Sequence, residues 1–423
     1  MNFRILISVF SFQFSAFLFA AAGDAPDKPP PPKTALEIDA GFPGGNIAVI
    51  GIEGDTVRLK DDPRKGGGTE AGGIYWAFRV RGAAGRTLTF QFEEDFVGLR
   101  GPSVSADGGK TWRWLENKPA GALSGNFSYS FGAGENEALF SSQLFYTEKN
   151  LKSFLEKHKA HPALKTETLC KTNKGRGVEL LRINEAGQKA KFKVLLTARH
   201  HARETTASPV LEGIMEAVLS STPDGRWLRE NADFFIVPFI DKDGVEDGDQ
   251  GKNRSPHDHN RDYARGIHPE IRAIKEQVPP WLGGRPLFFI DLHGTSQKGK
   301  TIFFIKRKTA DELSRSIARF STILEKERKG PLPFKAALTV QSPDKQPPNP
   351  SQAAVRGDGV TSVGWTSRLP GVIFAATLEF PYSTVGSAAL TADSTRLFGK
   401  DMARAIRVFL ETNPPPAENS NVQ

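Results

Sequence analysis

The chain has one cysteine among its 423 residues, Cys170, and that scarcity closes several routes at once. No disulfide can form within the chain, and no thiolate cage can hold an ion, so any bound metal must be held by nitrogen and oxygen. Charge of one sign is gathered nowhere: 56 basic residues against 48 acidic ones leave a net +8 spread along the sequence. Without a basic run or arm there is no footprint for nucleic acid, and none is expected as a partner. Past the N-terminus, no apolar run reaches the roughly 18 residues that a membrane-spanning helix needs. Tyrosine is sparse, at positions 75, 129, 146, 263 and 382. The remaining balance, 38% hydrophobic and 25% charged, is that of globular protein with a sizeable core.

What is present begins with a leader. Arg4 precedes an apolar stretch from Ile5 to Ala22 that ends in the small residues Ala20-Ala21-Ala22. Residues 1–23 therefore read as a secretory signal peptide. They predict a secreted or periplasmic protein with no membrane span after cleavage. Residues 24–36 are a Pro-rich linker. Residues 37–145 are Gly-rich, with short β-prone segments at Asn46–Ile52, Ile74–Val80, Thr87–Phe92 and Thr111–Leu115, and predict a small all-β sandwich. Ser105–Trp112 fits a single Asp-box pattern, which indicates one hairpin turn.

The texture changes at Tyr146. Over 146–412 apolar runs at Val194–Thr197, Phe234–Ile240, Leu287–Leu292, Thr301–Ile305 and Val372–Leu378 alternate with helix-like stretches. The stretches are Glu148–His158, Pro209–Leu219, Ala310–Lys326 and Ser387–Leu410. This alternation predicts an α/β domain with a mostly parallel central sheet flanked by helices. The tail, 413–423, is expected to be disordered.

Five of the eight histidines fall between 200 and 268. In LLTARHHARETTAS, His201 and Glu204 stand three apart between a strand and a helix, so both can face one ion, although this pair alone is weak. His293 closes the apolar run PLFFIDL and belongs on the same sheet edge, where open α/β sheets place their sites. Glu379 closes another apolar strand, VIFAATLEF, where an unpaired carboxylate is too costly to be mere filler. His158, His161 and His268 have polar neighbours and read as surface residues. His257 and His259 read as loop histidines.

His201-Ala202-Arg203-Glu204, Asn260-Arg261 and Ile290-Asp291-Leu292-His293 resemble the three landmarks of the zinc carboxypeptidase family, in the family's order. The β-rich segment ahead of the catalytic part is similar to the branch typified by the cytosolic carboxypeptidases. The resemblance implies a carboxypeptidase-like mixed sheet and one zinc ion held by His201, Glu204 and His293, with Glu379 as general base. It implies a substrate that is a peptide or protein C-terminus, cleaved at a peptide or isopeptide bond. It also gives Asn260, Arg261 and Arg203 substrate-binding roles, makes Arg254 the oxyanion arginine, and sets Asp258 against a zinc-bound histidine. A related zinc amidase acting on cell-wall peptides or N-acyl amino acids would share the metal site, and a non-catalytic binding protein would share the fold. The family's mobile tyrosine has no counterpart between His293 and Glu379, and Trp365 is the candidate to replace it.

Overall fold

The computed structural model describes residues 35–60, 62, 74–93, 97–116, 125–252, 254–296, 298–306, 311–338, 340–341 and 359–414. The stretch 1–23 expected to be a signal peptide, nearly all of the expected Pro-rich linker and residues 415–423 lie outside them. Alternating apolar residues build the first part. Its strands are β1 (Glu37–Asp39), β2 (Ala48–Glu53), β3 (Thr56–Lys60), β4 (Ala77–Arg81) and β5 (Thr87–Phe92). They continue with β6 (Ser103–Ser105), β7 (Arg113–Trp114), β8 (Asn126–Ser130) and β9 (Glu137–Ser141). One sheet runs β1-β4-β9-β6-β7 and the other β2-β3-β5-β8. Phe90 and Phe127 of one sheet meet Phe78 and Phe140 of the other in a shared aromatic core, with the Phe90 and Phe140 rings 5.3 Å apart. The Asp-box stretch forms the β6–β7 turn, where Asp107 accepts from Ser105 Oγ (2.8 Å) and from the Thr111 N–H (2.9 Å).

The second part starts with α1 (Glu148–His158), then β10 (Leu164–Lys171), β11 (Gly177–Ile183) and β12 (Phe192–Ala198). It continues through α2 (Ala207–Leu219), α3 (Pro223–Asn231), β13 (Ala232–Val237), α4 (Lys242–Asp247) and α5 (Pro269–Leu282). Next come β14 (Leu287–Gly294), β15 (Phe303–Lys306), α6 (Glu312–Glu327), β16 (Val340–Gln341) and α7 (Ser362–Thr366). It ends with β17 (Val372–Phe380), β18 (Thr384–Val385), β19 (Ala388–Ala389) and α8 (Ala392–Glu411). Eight strands make one mixed sheet in the order β10-β11-β13-β12-β14-β17-β15-β16. Its centre, β13-β12-β14-β17, is parallel; β10 and β11 run antiparallel to their neighbours, and β15 is antiparallel to β17 but parallel to β16. Strands buried on both faces have no polar side to show, which is why they read as unbroken apolar runs.

Helices α2 and α8 approach very closely at glycines. A Cβ on Gly213 would lie 2.0 Å from the Arg396 carbonyl oxygen, and one on Gly399 would lie 2.1 Å from that of Val210. The helix expected from Ser387 instead begins at Ala392, because Ala388–Ala389 pairs with Thr384–Val385. The two parts are joined by specific contacts. Trp114 of β7 is buried in the core of the second part and donates from Nε1 to the Leu390 carbonyl (2.6 Å). Gln250 Oε1 accepts from the Tyr75 N–H (3.0 Å) and its Nε2 donates to the Tyr75 carbonyl (2.6 Å). Among the described residues, no helix is long and apolar enough to cross a membrane.

Candidate metal centre

Parallel pairing brings the C-terminal ends of β12, β14 and β17 to one edge. Ala198 is level with Leu292, and His293 is level with Glu379. Just past β12 the backbone turns sharply, with Arg199 at φ 61°, a left-handed conformation rare for a non-glycine residue. The buried Arg199 guanidinium braces this turn, donating from Nε to the Ala202 carbonyl (2.9 Å) and from Nη1 to Ser208 Oγ (3.1 Å). The turn is pressed from the other side by Gly251 at φ 94°, where a Cβ would sit 2.2 Å from the Ala202 nitrogen. Only glycine fits there.

The turn delivers His201 and Glu204 to His293. Glu204 bridges the two imidazoles: Oε1 lies 2.7 Å from His201 Nδ1, and Oε2 lies 2.8 Å from His293 Nδ1. All three side chains are buried, and their ligand atoms lie within 4.8 Å of one another. Burial opposes the charge on Glu204, but the two imidazoles outweigh it and hold the carboxyl well below its usual range. Two nitrogens and a carboxylate are the donor set that zinc accepts in sites with one position left open.

Each imidazole is fixed from behind by a carboxylate, the arrangement that orients metal-ligating histidines. His201 Nε2 lies 3.3 Å from Asp258 Oδ2, and His293 Nε2 lies 2.7 Å from Asp291 Oδ2. Asp258 also accepts the Asn260 N–H at Oδ1 (2.7 Å), which shapes the turn carrying Asn260 and Arg261. Asp291 is the more heavily used of the two. Its Oδ1 is 2.9 Å from His200 Nδ1 and accepts from Thr197 Oγ1 (2.7 Å), and its Oδ2 also accepts from Ser362 Oγ. Burial works against its ionisation, yet His200 and His293 hold its carboxyl far below the usual range. Sequence reasoning gave Asp291 no role. The available signal was its step of two from His293, which puts both on one face of a strand.

Glu379 is the group opposite. It stands level with His293, and its Oε2 is buried without a hydrogen-bond partner. Burial lifts its carboxyl to about 7; His293 resists the shift and the Glu204 carboxylate adds to it. Asn260 stands beside His293, next to the loop position of Arg261. Its Nδ2 is 3.0 Å from His293 Nε2, and its Oδ1 accepts the Ser362 N–H (2.8 Å). Arg261 is half-buried and donates to the Asn260 carbonyl (2.7 Å). Arg254 is aimed by two acids, with Nε 3.0 Å from Asp241 Oδ2 and Nη1 2.8 Å from Asp249 Oδ2. Arg203 is half-buried, its Nε is without a hydrogen-bond partner, and it interacts with the buried Tyr382. Tyr382 packs on Gly294, where a Cβ would come within 2.5 Å of its ring. Trp365, the candidate to replace the missing tyrosine, instead packs on Tyr263 at 5.7 Å, and the Tyr263 hydroxyl lies 2.8 Å from His200 Nε2.

Residues 151–299 match the family described as zinc carboxypeptidase. Cytosolic carboxypeptidase 1 of Danio rerio is 30% identical over 215 residues, which is 46% of this chain and 19% of that protein. Cytosolic carboxypeptidase 2 of the same fish is 31% identical over 172 residues, 38% of this chain and 24% of that protein. The chain thus spans about a fifth to a quarter of the length of these curated relatives. Two solved structures share the fold. The metallo-carboxypeptidase from Burkholderia cenocepacia has a TM-score of 0.71 at 19% identity, covering 90% of this chain and 100% of that one. The metallo-carboxypeptidase from Pseudomonas aeruginosa, in complex with (2-guanidinoethylmercapto)succinic acid, has 0.70 at 20% identity, covering 88% and 98%. The fold is carboxypeptidase-like, and the buried His-Glu-His group is one that could hold a metal ion. The stretch 151–299, which carries His201, Glu204 and His293, is similar to the zinc carboxypeptidase family.

Proposed function

We propose that this chain hydrolyses the C-terminal peptide or isopeptide bond of a peptide or protein, with one zinc ion held by His201, Glu204 and His293. The ion supplies Lewis acidity and lowers the pKa of a water molecule. The observation that carries the reading is Glu379, a half-buried residue level with His293 whose Oε2 is buried and free of hydrogen bonds. A carboxyl lifted to about 7 by burial is poised both to take and to return a proton near neutrality. Glu379 accepts the proton of the attacking water as the water oxygen bonds to the scissile carbonyl carbon. It then gives that proton to the amine nitrogen as the C–N bond breaks.

Arg254, held in place by Asp241 and Asp249, faces the negative charge that develops on the carbonyl oxygen. Arg261 and Arg203 select a free carboxylate on the substrate, a task suited to a guanidinium fork. Asn260, next to Arg261 and beside His293, joins Arg261 in binding the substrate. The apolar leader and its Ala20-Ala21-Ala22 end support export, so the mature protein is expected outside the cytoplasm.

Glu379→Gln tests the mechanism. The amide keeps the shape but cannot take up the proton, so kcat should fall by about 10²- to 10⁴-fold while zinc content stays that of the parent. Undiminished peptidase activity in this variant would remove Glu379 as the base.

A further inference from the structure

The segment from His257 to Glu270 carries a second set of metal-competent side chains that the reaction above does not use. His268 is not on the surface, as its polar neighbours suggested. It is buried together with His257, His259, Asp262 and Glu270. The reason lies in its bonds: its backbone N–H donates to Asp262 Oδ2 (2.8 Å), and its Nε2 is 2.8 Å from the His257 carbonyl oxygen. His257 is in turn held by Asp262, with Nε2 2.9 Å from Oδ1. His257 and Asp262 therefore anchor His268 rather than wait for a ligand themselves.

His259 and Glu270 are not anchored in this way. His259 Nε2 stands 3.7 Å from Glu270 Oε2. That is too long for a hydrogen bond, and it is close to the span of two ligands each about 2 Å from a shared ion. His259 Nδ1 and Glu270 Oε2 are both buried without a hydrogen-bond partner. Buried polar atoms are nearly always satisfied, so an orphan on each of these two neighbouring side chains calls for a guest. One atom each from His259, His268 and Glu270 lies within 4.8 Å of the others.

We propose that His259, His268 and Glu270 form a second metal site, for a transition-metal dication of the zinc class. Two imidazoles and a carboxylate suit such an ion and are a poor match for calcium or magnesium, which prefer oxygen. The His259 and His268 rings are stacked, 3.7 Å between centroids and 18° between planes. An ion in the plane of both rings requires one of them to turn. His259 is the ring able to do so, because Nε2 of His268 is tied to the His257 carbonyl. The ion would clasp the two ends of the segment that carries Asp258 and Asn260, the residues that touch His201 and His293.

The test is a count of zinc in the full-length protein after chelation, reloading with zinc alone and removal of unbound ion. Two zinc per chain are expected for the parent, and one each for Glu270→Gln and His293→Ala. A single zinc in the parent, or two in Glu270→Gln, overturns the second site. His259→Gln, with the same expected loss of one zinc, stands in if Glu270→Gln does not fold. The His293→Ala count reports on the first centre and the Glu270→Gln count on the second, so the two readings fail separately.

Discussion

Glu204 and His293 are 89 residues apart in the chain, yet one carboxylate oxygen reaches the imidazole at 2.8 Å. What keeps that contact in register at the residue scale is Asp291, which collects His200, His293, Thr197 and Ser362 on its two oxygens. An ionised carboxylate accepts from all four. Asparagine in its place would turn an NH₂ group against two of those partners and leave a buried mismatch. Asp291→Asn should therefore weaken zinc affinity by about 10- to 100-fold, read by competition with a chelator of known affinity. Affinity equal to the parent's would show that His293 is held in place by other contacts.

At the scale of elements, the site depends on the parallel register of β12, β14 and β17, and that register depends on what packs behind it. Phe288 of β14 stacks on Phe374 of β17 with centroids 4.3 Å apart, against Phe320 of α6 and Phe409 of α8. Phe288→Ala removes this stack and opens a cavity beneath two strands that carry site residues. The expected loss is about 3–5 kcal/mol of stability, measured by urea unfolding. A loss below about 1 kcal/mol would mean that the core closes around the gap. The elements were unequally legible in the sequence. Helix α1 begins and ends where its Leu151, Phe154 and Leu155 spacing placed it, because an amphipathic helix announces its own period. Strands β10 and β11 were not foreseen. β10 is mostly exposed, with Leu169 its only fully buried residue, so it carries little apolar pattern to read.

At the scale of the whole molecule, the β-rich part and the α/β part share side chains across their junction. Trp114 leaves its own sheet to pack in the neighbouring core, and Asn46 Nδ2 donates to the Gly248 carbonyl (2.7 Å). Buried contacts of this kind couple the two parts, and one cooperative thermal transition is expected in calorimetry. Trp114→Ala should lower its midpoint, with a cost of about 3–5 kcal/mol for a buried aromatic, read against the parent trace. Two well-separated transitions in the unaltered protein would show that the parts fold independently.

By itself the sequence determined the chemistry on offer: one cysteine forced nitrogen and oxygen ligands, and strand-end placement singled out His201, Glu204, His293 and Glu379. Local pattern could do this because strand ends and ligand spacing are short-range properties. Only the tertiary structure decided how those groups are held. It drew Asn260 inward to His293, made Asp291 the anchor, and buried His257, His259 and His268 together. Those outcomes depend on which backbone and side-chain partners arrive from distant segments, and no short stretch of sequence contains that information.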